Sequence, residues 1–308
     1  HGSAKYPRMH FYPSFLSSKR HTAQALGACL VLALAACCSS RPTAPPTAPA
    51  AAAPPATPSP KQTPTLGLQA STAERLRSAM PADLLLLGEQ HDAPEHQQVQ
   101  RDIVQALATS GRLAALALEM ADAGNSTTGL PADSSEFSVR QALQWNEKGW
   151  PWAAYGPAVM AAVHAGVPVL GANLPRVQMR GAMAEPTLDS RLPATAWQVQ
   201  QQAIRSGHCN LLPETQTVPM ARIQIAKDIS MAHTLVSAVQ PGKMVVLLAG
   251  SGHVDRLVGV PQHLPTAVSA KAVRLQAGAA ADSAPGVFDV VWLTPAVPFK
   301  DYCASLKK

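Results

Sequence analysis

Short apolar runs alternate with amphipathic helical patterns along most of this 308-residue chain. The runs have the length of buried strands, and the segments between them repeat apolar residues at helical spacing. This alternation is typical of a parallel sheet that is covered by helices on both faces. We therefore predict one α/β domain with a largely parallel central sheet. The predicted strands are residues 83–87, 113–118, 167–170, 244–249, 267–275 and 287–293, and the predicted helices are residues 70–80, 92–109, 137–146, 152–165, 191–206 and 219–240.

The basic charge of the chain is concentrated near its start. The formal charge is +6, but four of the 25 basic residues and none of the 19 acidic residues precede residue 37. The remainder is nearly neutral and has no run of interleaved basic and aromatic residues. These features disfavour a nucleic-acid partner.

The first 36 residues show the features of an export signal in their usual order. A short basic stretch precedes residues 23–36, an apolar segment that is too short to cross a bilayer as a helix. The sequence Leu-Ala-Ala-Cys37 then resembles a bacterial lipobox, in which the cysteine is lipidated. We predict a signal peptide over residues 1–36, with extra residues before Met9, and lipidation of Cys37. The alternative is an ordinary signal peptide with incidental cysteines.

A segment rich in proline and alanine follows the predicted lipid site. Nine prolines lie between Pro42 and Pro64, and the segment contains too little apolar surface to form a core. We predict that residues 37–65 form an extended tether and that the folded domain covers residues 66–308. In that domain the thiols are Cys209 and Cys303. An even pair in an exported protein suggests a disulfide, and two unpaired cysteines are the alternative.

Polar residues follow several of the predicted strands. The carboxyl ends of parallel strands meet at one edge of a sheet, where ligands of α/β proteins usually bind. Two imidazoles and two carboxylates in such a place suit either a divalent metal or general acid–base chemistry. Each of these side chains alone could have a structural role. The strand-end residues are Glu89 and His91 in Gly-Glu-Gln-His, Glu119, Asn173, Arg176, and His253 in Gly-Ser-Gly-His.

An aromatic cluster lies between residues 145 and 155. Trp145, Trp150, Trp152 and Tyr155 occur within eleven positions of a chain that is only 5% aromatic. Such a cluster either closes a corner of the core or lines a site for a flat apolar ligand. Haem iron accepts tyrosine or histidine as an axial ligand, so Tyr155 is the candidate if a phenolate ligand is present.

Seven of these motifs together resemble the ChaN-like haem-binding lipoproteins, a group within a wider haem-uptake and Tiki-like superfamily. The resemblance extends over about residues 82–303. The motifs are Gly-Glu-Gln-His-Asp at 88–92, Leu-Glu-Met at 118–120, Trp-x-x-Lys-Gly-Trp-Pro-Trp-x-x-Tyr at 145–155, Ala-Asn-Leu-Pro-Arg at 172–176, Gly-His-Cys at 207–209, Ala-Lys-Asp-x-x-Met-Ala at 226–232 and Gly-Ser-Gly-His-Val at 250–254.

The resemblance implies a lipoprotein of the Gram-negative outer membrane that binds haem and assists iron uptake without turnover. Its expected partners are haem, an outer-membrane haem receptor or other uptake components, and a second copy of the chain in a homodimer on haem binding. Tyr155 with His91 or His164 would contact the iron, Trp150 would line the slot, and Arg176 or Arg180 would meet the propionates.

Two other functions are open at this point. Related branches of the superfamily resemble metal-dependent hydrolases that use Gly-x-x-His pairs and a nearby glutamate. In that case Glu89, His91, Glu119 and His253 would bind the metal, and Glu89 and Glu119 would be the catalytic carboxylates that activate water. A purely structural envelope lipoprotein is the third possibility, but it leaves the strand-end residues unexplained.

Overall fold

The structure is a computed structural model that describes residues 63–279 and 284–304. The predicted signal peptide, Cys37 and nearly all of the predicted tether lie outside the described residues. Within the described ranges, no helix combines the length and hydropathy needed to cross a bilayer.

A seven-stranded sheet forms the centre of the domain, and every strand pair in it is parallel. The strand order is β1-β7-β6-β2-β5-β3-β4. This arrangement confirms the predicted α/β class and the parallel sheet. The strands are β1 Thr65–Leu66, β2 Leu84–Glu89, β3 Leu113–Asp122, β4 Val169–Asn173, β5 Met244–Gly250, β6 Ala270–Ala277 and β7 Val290–Thr294.

Helices cover both faces of the sheet. Along β2, Leu85 and Leu87 join the apolar cluster formed with α2 and α4, whereas Leu84 and Leu86 join the cluster formed with α7. Neighbouring strand residues point to opposite faces, so a strand that is buried on both faces is a continuous apolar run. The helices are α1 Thr72–Ser78, α2 Pro94–Thr109, α3 Glu136–Ala142, α4 Trp152–His164, α5 Met179–Ala184, α6 Ala194–Gly207, α7 Glu214–Ser237 and α8 Ser251–Val254.

Several element boundaries differ from the predictions. Strand β2 continues through Gly88 to Glu89, because the pairing with β5 extends to Glu89 and Gly250. The two-residue strand β1 and the short helices α5 and α8 were not predicted, because elements of this length leave no periodic pattern. Helix α7 begins at Glu214 and contains Pro219, the residue at which the predicted helix started.

The chain after β7 returns along the surface as residues 295–304, which we call the strap. The strap has no regular secondary structure and is largely exposed. In the structure the sulfur atoms of Cys303 in the strap and Cys209, just after α6, are joined, with the Cα atoms 5.7 Å apart. That Cα separation lies in the usual range for a disulfide. The disulfide itself stays a prediction.

Candidate functional site

The strand-end residues converge at the carboxyl edge of the sheet. Glu89 is the last residue of β2, and His91 follows it by two positions. Glu119 lies in β3, and His253 lies in the short helix α8 that directly follows β5. Because β2, β5 and β3 are parallel neighbours, their carboxyl ends place these four side chains side by side.

One half of the site lies on the sheet face that α2 and α4 cover. Here the carboxylate of Glu89 is 1% exposed and accepts three hydrogen bonds. Its Oε1 accepts from the Tyr155 hydroxyl at 2.6 Å and from Nδ1 of His91 at 2.7 Å. Its Oε2 accepts from Nε2 of Gln97 at 2.9 Å. A buried carboxylate is tolerated only with such partners, and these bonds fix the orientation of His91.

The other half lies on the face that α7 covers. Nδ1 of His253 is 2.6 Å from Oδ1 of Asp228, and its Nε2 is 3.4 Å from Oε1 of Glu119. Oε2 of Glu119 accepts a hydrogen bond from the backbone N–H of Gly250 at 2.7 Å. His253 therefore lies between two buried carboxylates, each oriented by a specific contact.

Charge pairing shifts the pKa values in this second half. Burial alone lowers the pKa of His253, but the carboxylates of Glu119 and Asp228 outweigh burial and raise it to about 10. Burial would raise the pKa of Glu119, but His253 and the more distant His91 hold it well below its usual range. Burial raises the pKa of Asp228 to about 6, although His253 opposes that shift. This half of the site is therefore most stable when His253 is an imidazolium and Glu119 is a carboxylate.

The two halves meet at His91. Its Nε2 is 3.9 Å from Oε2 of Glu119, above the end of β5. A Cβ atom at Gly250 would lie 2.9 Å from the same Nε2, so any larger residue there would displace the imidazole. Burial lowers the pKa of His91, but its hydrogen bond to Glu89 and the nearby Glu119 reverse the direction and raise it.

The four residues of the hydrolase alternative contact one another in the structure. Among residues 63–279 and 284–304, no group of three His, Cys, Asp or Glu side chains is arranged to hold a metal ion. Nε2 of His91 and Nε2 of His253 both face Glu119, at 3.9 and 3.4 Å. Nδ1 of His91 bonds to Glu89, and Nδ1 of His253 bonds to Asp228. The arrangement is a network of buried hydrogen bonds and ion pairs.

The aromatic cluster lies partly in the core and partly at the edge of the site. Trp152 and Tyr155 of α4 are buried in the core, at 7% and 1% exposure. Trp150 is partly exposed, and its ring contacts His91 with centroids 4.8 Å apart. The indole of Trp145 donates to the backbone carbonyl of Trp150 at 2.9 Å and thereby fixes the loop. Trp150 thus extends the core to the edge of the site.

A cavity of about 350 Å³ opens beside His91. Pro94 and Gln97 of α2 and Ala154 and Pro157 of α4 line it, together with Asp92 and Arg101. Its volume falls within the usual range of small-molecule sites. The wall combines apolar surface with the imidazole of His91, the guanidinium of Arg101 and the carboxylate of Asp92.

The nominated haem residues occupy different positions relative to this cavity. His91 lines it. Tyr155 lies deeper, with its hydroxyl on Glu89. Arg176 is exposed after β4, with its backbone N–H 3.5 Å from the Asp122 carboxylate. His164 is exposed at the end of α4, close to where β4 begins, so it lies at the opposite edge of the sheet. The structure does not bring His164 to the site.

Two site residues were assigned no role from the sequence. Asp228 and Gln97 lie inside helices, where the strand-end argument does not apply. The only available signal for Asp228 was its presence in the Ala-Lys-Asp motif at 226–232.

Comparisons with known proteins identify a family for this chain. A solved structure described as "Cofacial heme binding to ChaN of Campylobacter jejuni" is similar at 25% identity, covering 71% of this chain and 89% of that one, with a TM-score of 0.55. The type III effector HopBA1 aligns at 14% identity over 70% of this chain and 88% of its own, with a TM-score of 0.40. No curated protein matched in a sequence search. The profile of the family described as "Haem-binding uptake, Tiki superfamily, ChaN" matches residues 75–264, and the chain belongs to this family.

Proposed function

We propose that this chain is a haem-binding lipoprotein of the cell envelope, and that haem occupies the cavity beside His91. The observation that carries the proposal is that His91, which lines this cavity, also contacts the ring of Trp150. It places an imidazole, an aromatic edge and an apolar wall together in a member of a haem-binding uptake family. The similar ChaN structure from Campylobacter jejuni, described as one of cofacial haem binding, gives further support.

The residues around the cavity suit haem by their chemistry. When bound, haem would supply an iron atom that takes histidine or tyrosine as an axial ligand. His91 is the nominated side chain that lines the cavity, and Glu89 holds its orientation through Nδ1. The prolines and alanines of α2 and α4 keep water from one side of the ligand. Arg101, a cavity residue that is about half exposed, would contact a propionate while it remains paired with Asp102.

Tyr155 has a positioning role in this proposal. Its hydroxyl donates to the same Glu89 oxygen that accepts from His91. Tyr155 therefore fixes the position of the Glu89 carboxylate, and this carboxylate orients the imidazole of His91. Direct ligation of iron by Tyr155 would require this buried hydrogen bond to break. We therefore assign the ligand contact to His91 and the support of that contact to Tyr155 and Trp150.

The proposal for the envelope comes from the sequence. A signal peptide over residues 1–36, lipid on Cys37 and the tether over residues 37–65 would hold the domain at the Gram-negative outer membrane. A disulfide between Cys209 and Cys303 fits export to an oxidising compartment. The uptake components, including an outer-membrane haem receptor, and a homodimer formed on haem binding belong to the same proposal.

An absorbance titration of the purified chain with ferric haemin tests the ligand assignment. We expect a saturable Soret shift for the wild type and its loss in His91→Ala. Tyr155→Phe should keep the shift with weaker binding, because the phenol acts through Glu89. The matched control is His164→Ala, which removes an exposed imidazole at the opposite edge and should behave as the wild type. Unchanged binding in His91→Ala, or loss of the iron spectrum only in Tyr155→Phe, would overturn the assignment.

A further inference from the structure

The strap contacts the carboxylate that lines the cavity beside His91. Asp92 is the residue after His91, and its side chain forms part of the cavity wall. The Tyr302 hydroxyl donates to Oδ2 of Asp92, and Nζ of Lys300 lies 3.8 Å from the same oxygen. Lys300 also lies over the ring of Tyr302, 5.1 Å from its centroid. Two strap residues therefore share one carboxylate at the edge of the site.

The position of these two residues depends on Cys303. The strap has no regular structure, and most of it is exposed, so few buried contacts oppose its release. Cys303 is adjacent to Tyr302 in sequence, and its bond to Cys209 joins the strap to a point 94 residues away in the chain. A covalent link next to Tyr302 keeps the phenol and Lys300 at high effective concentration near Asp92.

The charge of Asp92 matters because haem carries two propionates. Among the cavity residues, the positive charge of Arg101 is already paired with Asp102, 2.7 Å away. Without the strap, the carboxylates of Asp92 and Asp102 outnumber the guanidinium of Arg101 beside a site for an acidic ligand. Lys300 balances that excess, and the Tyr302 hydroxyl satisfies an oxygen of Asp92. The hydrogen bond from Tyr302 contributes to lowering the pKa of Asp92, which burial alone would raise.

We propose that the strap is part of the haem site: the link between Cys209 and Cys303 fixes Lys300 and Tyr302 on Asp92, and this compensation of the carboxylate sets the affinity for haem. The proposal rests on the proposed function, since it names further residues of the same site. Lys300 and Tyr302 act as positioning residues, because they work through Asp92.

Haemin titrations at low ionic strength test the strap in the full chain. We expect Lys300→Gln to weaken binding roughly two- to fivefold, the usual size of an exposed charge contact. The effect should shrink in salt, because exposed charges are screened. Lys243→Gln is the matched control, since it removes an exposed lysine just before β5, at the opposite edge of the sheet. Equal affinity for the two lysine variants would overturn the proposal.

A rescue experiment separates charge compensation from general damage. The double variant Cys209→Ser/Cys303→Ser should bind haemin more weakly than the wild type, and adding Asp92→Asn should restore binding, because the uncompensated carboxylate is then gone. Thermal unfolding of each variant shows whether the domain has kept its fold. If Asp92→Asn gives no rescue in a folded variant, the strap does not act through Asp92. If the wild type shows no saturable binding, the proposed function itself fails. If the wild type binds haemin and the strap variants bind it equally well, only the strap proposal fails.

Discussion

The contact between His253 and Asp228 allows a quantitative test of the buried network. The two groups are 2.6 Å apart, and Asp228 is 2% exposed. Asp228→Asn keeps the shape of the side chain and an oxygen that can accept from Nδ1, but it removes the negative charge. Hydrogen bonds to charged groups contribute about 1.5–3 kcal/mol. We therefore expect the variant to lose about 2 kcal/mol of the free energy of unfolding at pH 7.

The pH dependence of this loss follows from the pKa of His253. That pKa is about 10 in the folded state, whereas an unfolded histidine titrates at about 6.5. The stabilisation from this raised pKa is therefore complete below about pH 6.5, and it is lost as the pH rises through 10. Within this window the titration of His253 should lower the free energy of unfolding of the wild type by up to about 1.4 kcal/mol per pH unit. The pKa values of Asp228 and Glu119 lie below the steep part of the window.

Urea unfolding at several pH values from 7 to 9.5 measures the effect. Without the charge of Asp228 the folded pKa of His253 falls. The stabilisation from His253 should therefore be lost at lower pH in the variant, and its free energy of unfolding should change less between about pH 8 and 9.5 than that of the wild type. His91 also has a raised pKa, but its hydrogen bond to Glu89 and its contact with Glu119 are the same in both proteins, so most of its contribution cancels in the difference. Asp133→Asn, at an exposed position, is the control for net charge. Parallel curves for the wild type and Asp228→Asn would refute this reasoning.

Three further substitutions test the packing of the site. Gly250→Ala places Cβ 2.9 Å from Nε2 of His91, so we expect a cost of about 1–3 kcal/mol and a loss of haemin binding, measured by unfolding and by the Soret shift. Gly171→Ala places Cβ 2.1 Å from the Asp122 carbonyl oxygen, and since backbone yields less than a side chain, its thermal stability should fall further than that of Gly250→Ala. Trp150→Leu removes the ring contact with His91, worth about 0.5–1.5 kcal/mol, so haemin affinity should fall roughly two- to tenfold in the titration. The reverse order of stability for the two glycine variants, or unchanged affinity in Trp150→Leu, would contradict these contacts.

The sheet and its functional edge were predictable because they depend on local patterns. A strand that is buried on both faces must be apolar at every position, as residues 84–87 are, and such runs are visible without knowledge of their partners. Parallel order then places Glu89, Glu119 and His253 at one edge. The six long strands and the edge therefore follow from hydrophobic runs and from the residues that end them.

The partners of those residues depend on helix packing and could not be predicted in the same way. Asp228 reaches His253 only because α7 lies against the sheet with that side inward. The direction of the Tyr155 hydroxyl likewise depends on how α4 packs, and the aromatic sequence is compatible with a phenol facing either a ligand or the core. In the structure it faces Glu89. Tertiary contacts decide such orientations, and periodicity within one segment does not.

The two halves of the site are connected through one imidazole. Glu89 and Tyr155 hold His91 from one face of the sheet, and Glu119 approaches the same ring from the other face, across Gly250. A ligand that takes His91 as a partner would change the charge that Glu119 faces. Glu119 is also the ion-pair partner of His253, so ligand binding beside His91 should alter the protonation of the buried half. Under the proposed function, the buried network would link occupancy of the cavity to the stability of the domain.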